Sequence, residues 1–366
     1  MIDFTVAISP FARTANSGHS LTDDEFYFAY LLGCGRNFVF YTSDFSAKRI
    51  VNKYPDGAQY LRPVADYRED WLGHILFALQ LKIPKSAKVI FFGYTERLVL
   101  AWYLINFFKP FELFLVATNN ISARRVEVYR NQLKFFLTIV NKKLRRIVLH
   151  TQYEAQLVAS LRTSLANKCF VKRHHLMIPA KELQSRRKNE RITISYFGPH
   201  KPEKPLAPLI ELIKADIDAQ FKYQIFNVPL GDVLRLLDQT DLPSNIVVDE
   251  RWIGEMEYYA RFASSDLVIM THNKDFEGKL SGNLCDCVAF GIPYIAAAIE
   301  PLVSIQARYG VVGLLCEFED SNWSKLCIGK VNQNSLRKMT KNIAKMSLDH
   351  TLSNVIYDLN MALQNE

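Results

Sequence analysis

The chain has 366 residues, 49% of them apolar and 22% charged, which is an ordinary globular composition and enough length for two domains. Its net charge of +8 lies in the first half: residues 1–183 carry 25 Lys and Arg against 14 Asp and Glu, whereas residues 184–366 carry 20 against 23. The most apolar run, Leu98–Phe108, is too short to span a membrane, which takes roughly 20 residues. The six cysteines are scattered along the chain, which favours free thiols in a reducing cytoplasm. We therefore expect a cytoplasmic protein whose first half either meets an anionic partner or has a basic, solvated face.

Short apolar runs alternate with helical patterns through the first half, which favours a parallel sheet covered on both faces. A capping box, Thr22-Asp-Asp-Glu25, predicts the start of the first helix, with Asp23 and Asp24 as capping residues and His19 in the loop before it. Residues 45–85 are less regular. The strands are predicted at 3–9, 38–42, 88–92, 113–118, 146–149 and 169–177, and the helices at about 70–81, 95–108, 122–141 and 152–161.

The charged stretch Lys181–Arg191 is the predicted linker, and the same alternation resumes after it. We therefore predict an α/β protein with two Rossmann-like, doubly wound domains, residues 1–180 and 192–335, that face a central cleft. Residues 336–366 are expected to be helical. The strands of the second domain are predicted at 192–197, 222–227, 245–249, 266–270, 293–298 and 312–316.

One strand–loop–helix–strand unit in the second half favours anion binding. Its loop, Thr271–Gly282, leads into a short helix at about Asn283–Phe290 that Gly291 ends and that Pro293 cannot continue. Such a helix N-terminus offers unpaired N–H groups to a phosphate. Glu277 in the loop and Asp286 among apolar neighbours could accept hydrogen bonds from ribose or sugar hydroxyls. The alternative is that Asp286 caps a neighbouring turn and that Glu277 is solvated.

A second loop of this kind follows the strand at 192–197. It begins at Gly198, contains Lys201 and Lys204, and opens a helix near Leu206. Lysines between a strand and a helix N-terminus suit a phosphate group. The alternative is an exposed turn with surface lysines.

Ordered motifs over about 192–318 resemble those of nucleotide-sugar glycosyltransferases of the GT-B fold, especially the large retaining family. Glu277-Gly278 opens the acidic loop, Asp286 stands where that family has a second Glu, and the segment Gly291–Ile295 closes the unit. Three features depart from the family pattern: Pro199 replaces an arginine, Asp286 is one methylene shorter than Glu, and the loop has one extra residue.

The resemblance implies a transferase that moves a sugar from a nucleoside-diphosphate sugar to a saccharide acceptor, with no metal or other cofactor. It also implies that a terminal helix returns to the first domain. Asp286 would bind the ribose and Glu277 the donor sugar. The donor-binding set implied is Gly198, Lys201, Lys204, His272, Glu277, Gly278, Lys279, Leu280, Ser281, Gly282, Asn283 and Asp286, with Lys204, Glu277 and His19 as the catalytic candidates.

An inverting enzyme would need a general base on the first domain, and His19 is the candidate, with Glu96 and Asn119 to orient the acceptor. The alternative for His19 is a solvated loop residue. The basic segment 142–146 and the basic residues of the helix before it favour an anionic membrane surface and a lipid-linked acceptor, as in surface-polysaccharide assembly. Two other classes remain open: a sugar-nucleotide epimerase or hydrolase, and a non-catalytic glycan- or nucleic-acid-binding protein. No aromatic-basic motif supports nucleic acid.

Overall fold

The structure is a computed structural model that describes residues 4–9, 19–35, 37–65, 70–84, 86–117, 127–174, 176, 191–198 and 201–363. For residues 19–22 and 127–129 it describes the backbone only. The chain divides into two compact units. The first contains Met1–Arg173 and Val355–Glu366, and the second contains His174–Asn354.

The first unit has a sheet of seven parallel strands in its described part, in the order β3-β2-β1-β4-β5-β6-β7. The central strands β1, β4 and β5 are apolar runs buried on both faces, as expected for a sheet that helices cover on each side, whereas the edge strands β3 and β7 are partly exposed. They are β1 (Phe4–Ser9), β2 (Asn37–Ser43), β3 (Leu61–Val64), β4 (Ala87–Phe92), β5 (Phe111–Val116), β6 (Leu144–Leu149) and β7 (Cys169–Val171).

The second unit has six parallel strands among its described residues, in the order β10-β9-β8-β11-β12-β13. This order is that of a Rossmann-type sheet, and the winding direction reverses between β8 and β11. The strands are β8 (Thr193–Phe197), β9 (Lys222–Phe226), β10 (Ile246–Asp249), β11 (Leu267–Met270), β12 (Tyr294–Ala297) and β13 (Gly313–Cys316).

Helices connect most successive strands, as parallel strand pairing requires. Those before β8 are α1 (His19–Gly33), α2 (Asp44–Lys53), α3 (Trp71–Gln80), α4 (Glu96–Ile105), α5 (Glu127–Val140) and α6 (Gln152–Leu161). Those after β8 are α7 (Ala207–Ala215), α8 (Leu230–Leu237), α9 (Glu255–Ala263), α10 (Gly282–Phe290), α11 (Leu302–Tyr309), α12 (Trp323–Lys330), α13 (Gln333–Asp349) and α14 (Leu352–Leu363). No helix in the described ranges is long and apolar enough to cross a bilayer.

Each sheet separates two apolar cores, because successive strand side chains point to opposite faces. In the first unit, Val89 and Phe91 pack with α3, α4, α5 and α6, whereas Ile90 and Phe92 pack with α1, α2 and α14. In the second unit, Ile269 packs towards α7, α8 and α12, and Val268 towards α9, α10 and α11. The fold is therefore α/β with two doubly wound units, as the sequence predicts.

The terminal helix α14 belongs to the first unit, although α13 belongs to the second. Its residues Leu359 and Leu363 lie in the core over β1 and β2. Polar contacts fix it as well: the Tyr30 hydroxyl donates to Asn360 at 2.9 Å, and the backbone N–H of Arg173 donates to Asp358 at 2.8 Å. The predicted linker at 181–190 lies outside the described residues.

The structure corrects the prediction for the first helix. Helix α1 begins at His19, not at Thr22, so His19 starts a helix and Asp24 lies inside one. Asp24 caps nothing: its carboxylate is buried and accepts hydrogen bonds from Ser9, from Thr42 at 2.9 Å and from Ser46 at 2.7 Å. These partners come from the ends of β1 and β2 and from α2, which a local capping pattern does not report. Helix α2 and strand β3 were not predicted.

Candidate functional site

The candidate site lies at the carboxyl ends of β8 and β11. These strands are parallel neighbours, with Val268 opposite Ser195, so the loops that follow them leave the same edge of the sheet. The winding direction reverses at this point, which opens a crevice where ligands bind in doubly wound sheets. Both loops that the sequence singles out begin here.

The loop after β8 starts at Gly198, whose φ of 116° lies in a region that glycine adopts without strain. Its second part folds back tightly, because the N–H of Lys204 donates to the carbonyl of Lys201 at 2.8 Å. Helix α7 begins at Ala207. Pro199 and His200 lie outside the described residues. The turn fixes the direction in which Lys204 leaves the backbone.

The loop after β11 contains a single 3-10 turn, Lys274–Phe276, with Glu277 at its end. Gly278 follows with φ of 78°, and its N–H donates to the carbonyl of Glu300 at 2.7 Å. Helix α10 begins at Gly282 after Ser281 and ends at Gly291, which has the left-handed φ of 66°. Both helix boundaries agree with the sequence prediction to within one residue.

The two loops contact each other through Asn273. Its N–H donates to the carbonyl of Glu203 at 3.2 Å, and its side-chain amide donates to the carbonyl of Pro202 at 3.1 Å. Helix α10 is also fixed to β8, because the Asn283 amide donates to the carbonyl of Phe197 at 2.9 Å. The predicted lysine loop and the predicted acidic loop therefore form one site.

Phe276 is the centre of this site, and the sequence analysis did not single it out. The imidazole of His272 packs against its ring, with centroids 3.8 Å apart and the ring planes tilted by 34°. The ammonium groups of Lys204 and Lys279 lie 5.9 Å and 5.3 Å from the same ring centroid, within the range of cation–π attraction. The aromatic ring thus places two positive charges and one imidazole together.

Electrostatics at the site favour an anion. Burial, together with the charges of Lys204 and Lys279, lowers the pKa of His272 to about 2, so its imidazole is neutral. Burial also lowers the pKa of Lys204; Lys201 acts in the same direction, and Glu203 opposes it. Lys204 is therefore a half-buried cation beside Phe276, and Lys279 adds a second positive charge next to the same ring.

Two buried polar atoms of the site have no hydrogen-bond partner within the described part of the chain: Nε2 of His272 and Oγ of Ser281. Buried polar groups are nearly always satisfied, so such atoms need an explanation. The carbonyl of Ser281 accepts hydrogen bonds from the N–H groups of Leu284 and Cys285 in the first turn of α10, so a ligand would meet the N–H groups before them at this helix terminus. A ligand with several oxygen atoms would satisfy both side chains and the helix terminus.

The two predicted carboxylates differ in environment. Glu277 is half-buried at the end of the 3-10 turn. Asp286 is buried on α10 and accepts a hydrogen bond of 2.6 Å from the hydroxyl of Tyr258 on α9. Burial and the charge of Asp286 raise the pKa of Tyr258 well above its usual value, so Tyr258 remains a donor. Tyr258 is a further residue of the candidate site that the sequence analysis did not identify.

The remaining candidates lie in the first unit. His19 is the first residue of α1, and its side chain is outside the described part, as is Asn119. Glu96 lies in the first turn of α4, after the N-cap Thr95. Burial raises the pKa of the nearby Asp24 to about 7, against the hydrogen bonds that Ser9, Ser46 and Thr42 donate. Among the described residues, no group of three or more His, Cys, Asp or Glu side chains could hold a metal ion.

No protein-family model matches the chain, and no curated protein matches its sequence. Solved structures do match. HepE from Anabaena in complex with UDP and glucose has a TM-score of 0.71 and 11% identity, over 98% of this chain and 99% of that one. The lipopolysaccharide outer core galactosyltransferase WaaB has a TM-score of 0.67 and 11% identity, over 98% and 99%.

A UDP-N-acetylglucosamine 2-epimerase described as putative, from Listeria monocytogenes, is similar at a TM-score of 0.57 and 12% identity, over 93% of this chain and 91% of that one. At such identities the likeness shows the fold. The chain has the GT-B fold, with two Rossmann-like units, as the resemblance in its sequence implies.

Proposed function

We propose that this chain of GT-B fold is a glycosyltransferase that takes its sugar from a nucleoside-diphosphate sugar, with UDP as the nucleotide. The observation that carries the proposal is the group of side chains around Phe276. It consists of two lysines, a neutral buried imidazole and, at the N-terminus of α10, a serine whose hydroxyl makes no capping hydrogen bond. A diphosphate supplies the negative charge and the oxygen atoms that this group lacks. The HepE structures contain UDP with glucose or UDP-glucose, which supports the choice of nucleotide.

The reaction breaks the bond between the anomeric carbon and a β-phosphate oxygen, and the electron pair stays on the phosphate. We assign Lys204 and Lys279 to neutralise that growing charge, which is the largest demand of the step. The Nε2 atom of His272, if it carries the proton, and the hydroxyl of Ser281 donate to phosphate oxygens. Both donors are already desolvated in the fold, so little reorganisation accompanies the reaction.

The other roles are those that the sequence resemblance implies. Asp286 accepts from the ribose hydroxyls, and Tyr258 holds its carboxylate in place. Glu277 accepts from the donor sugar, which is a hexose in this proposal. The acceptor hydroxyl forms the new bond to the anomeric carbon and loses its proton; for a reaction that inverts the anomeric centre, His19 is the proposed base. Gly198, Lys201, Gly278, Leu280, Gly282 and Asn283 complete the proposed donor-binding loops.

The acceptor is proposed to be a saccharide, carried on a lipid in surface-polysaccharide or glycan assembly. The basic excess of the first half supports a negative acceptor or surface. The similarity to a lipopolysaccharide outer core galactosyltransferase favours the same setting.

Calorimetric titration with UDP, and then with UDP-glucose, tests the proposal. We expect UDP to bind and Lys204→Met to weaken that binding by about tenfold or more, as expected for a lost charge-assisted contact. Lys214→Met changes an exposed lysine at the end of α7 and is the matched control. Equal affinity in both variants would contradict the assignment of Lys204.

The products separate transfer from the epimerase alternative, which the similarity to the Listeria structure favours. Incubation with UDP-glucose and with UDP-N-acetylglucosamine is followed by proton NMR. Release of UDP and a sugar of unchanged configuration excludes the epimerase, and faster UDP release on addition of a saccharide acceptor supports transfer over hydrolysis. Conversion of UDP-N-acetylglucosamine to its 2-epimer would replace the transferase proposal.

A further inference from the structure

Helix α3 in the first unit has an outward face that is almost entirely apolar. Its ten residues, WLGHILFALQ, include no Asp, Glu, Lys or Arg. The side towards the sheet is buried: Gly73, His74, Phe77 and Ala78. The opposite side is exposed, and its large residues are Trp71, Leu72, Ile75, Leu76 and Leu79. A surface helix ordinarily places polar residues there, so this face indicates a partner.

The apolar surface has a second part at the end of α4, which packs beside α3 on the same face of the sheet. Leu104 and Ile105 are exposed in the last turn, and Phe107 and Phe108 follow it. The ring centroids of the two phenylalanines lie 5.3 Å apart, and the side chain of Phe108 is 95% exposed. Trp102, in contrast, is fully buried. The α3–α4 patch is our name for the nine exposed apolar residues of this surface: Trp71, Leu72, Ile75, Leu76 and Leu79 of α3, with Leu104, Ile105, Phe107 and Phe108.

Positive charge lies at one end of the patch. Helices α3, α4 and α5 lead into the neighbouring strands β4, β5 and β6, which are parallel and start close together, with Ala87 opposite Phe111. The segments that join each helix to its strand therefore lie at the same edge of the sheet. Each carries an exposed lysine, Lys82, Lys109 or Lys142, and the segments 81–86, 106–110 and 141–143 contain no Asp or Glu.

We propose that the α3–α4 patch docks the protein on an anionic phospholipid bilayer, with the apolar side chains among the acyl chains and the three lysines at the phosphate head groups. Interfacial binding needs a large apolar face with basic residues beside it. A protein partner would need a rim of hydrogen-bonding groups, and the exposed face of α3 offers only Gln80. The biological use of this surface, access to a lipid-linked acceptor, rests on the proposed function.

Co-sedimentation with vesicles tests this surface. We expect the wild-type protein to bind phosphatidylglycerol vesicles at low salt, to bind phosphatidylcholine vesicles far less, and to dissociate as salt is added. The triple variant Leu76→Ser, Leu79→Ser and Phe108→Ser should bind at least about tenfold more weakly, because it removes three inserting side chains. Replacing Lys82, Lys109 and Lys142 by Gln should weaken binding about fivefold for each lysine.

Matched controls change exposed residues of the second unit: Ile217→Ser with Leu348→Ser, and Lys325→Gln with Lys338→Gln. These controls should bind like the wild type. The spectrum of Trp71, half-exposed on α3, gives a second measurement. Trp252→Phe removes the other exposed tryptophan, and Trp102 and Trp323 are already buried, so a change in emission reports on Trp71. Its emission should shift to the blue with anionic vesicles, because the side chain enters an apolar environment.

Absent binding to anionic vesicles at low salt would overturn the proposal, as would equal binding of the triple variant and the wild type. If the triple variant instead changes the sedimentation coefficient without lipid, the patch is a contact between protein chains, and the lipid proposal is wrong. Circular dichroism and UDP binding without lipid show that each variant is folded. Failure of the wild type to bind UDP would overturn the proposed function and leave the vesicle result standing.

Discussion

The hydroxyl of Tyr258 donates a hydrogen bond of 2.6 Å to the buried carboxylate of Asp286. The contact joins α9 to α10 and gives the carboxylate one fixed orientation. Burial and the charge of Asp286 raise the pKa of Tyr258, so the hydroxyl keeps its proton over the working pH range. A carboxylate held in this way is pre-organised to accept further hydrogen bonds from a ligand.

We predict that Asp286→Ala weakens UDP binding by about tenfold or more, because it removes the proposed ribose acceptor. It should also lower the free energy of unfolding by about 1–3 kcal/mol, since the buried hydroxyl of Tyr258 loses its partner. Tyr258→Phe keeps the carboxylate and should reduce UDP affinity less. Calorimetry and urea unfolding measure both quantities. Wild-type UDP affinity in the Asp286→Ala variant would remove Asp286 from the site.

Lys204→Met should reduce turnover strongly without destabilising the protein. Burial lowers the pKa of Lys204, which means that the fold disfavours its charged form and that removing the charge removes this cost. We therefore expect the free energy of unfolding to stay within about 0.5 kcal/mol or to rise, while kcat/KM falls by at least about a hundredfold. Equal losses in stability and turnover would indicate a structural lysine.

His272 should make the protein less stable as pH falls. In the unfolded chain a histidine binds a proton near pH 6.5, whereas the folded pKa is about 2, so acid stabilises only the unfolded state. At pH 5 this group should lower the free energy of unfolding by about 2 kcal/mol relative to pH 7.5. The difference between wild type and His272→Asn, from urea unfolding at both pH values, isolates this contribution. Parallel pH profiles would show that the folded pKa of His272 lies near its ordinary value.

Asp24 should have the opposite effect. Its folded pKa of about 7 lies above the ordinary value of 3.8, so between these values the unfolded chain loses a proton that the folded protein keeps. Stability should therefore fall by roughly 3 kcal/mol from pH 4 to pH 7 through this group. Asp24→Asn should remove that slope and leave the other groups unchanged. A variant that keeps the full slope would place the folded pKa of Asp24 near its ordinary value.

The loops of the candidate site were predictable because their signals are local. Gly291 and Pro293 end α10 wherever that helix lies, and a lysine-containing loop between a strand and a helix faces the helix N-terminus in any doubly wound sheet. Asp24 shows the limit of such signals. Its hydrogen-bond partners Ser9, Thr42 and Ser46 lie 15, 18 and 22 residues away, and the capping-box pattern around it predicted a helix start that the fold does not use.

The α3–α4 patch shows the same limit for a surface. A helix that is apolar on every side does not reveal which side faces the sheet. The packing of Phe77 and Ala78 against the core decides that Leu76 and Leu79 are exposed. In the apolar run Leu98–Phe108, likewise, packing buries Trp102 and exposes Phe108.

By itself the sequence determined the alternation of strands and helices, the α/β class and the two loops of the candidate site, because periodicity, glycine and proline act over a few residues. Only the tertiary structure decided which loops meet. Strand order places β11 beside β8, and Asn273 therefore contacts Pro202, 71 residues earlier. Lys204 and His272 reach the same ring of Phe276 for this reason. That contact depends on parallel strand pairing, which no local pattern of residues specifies.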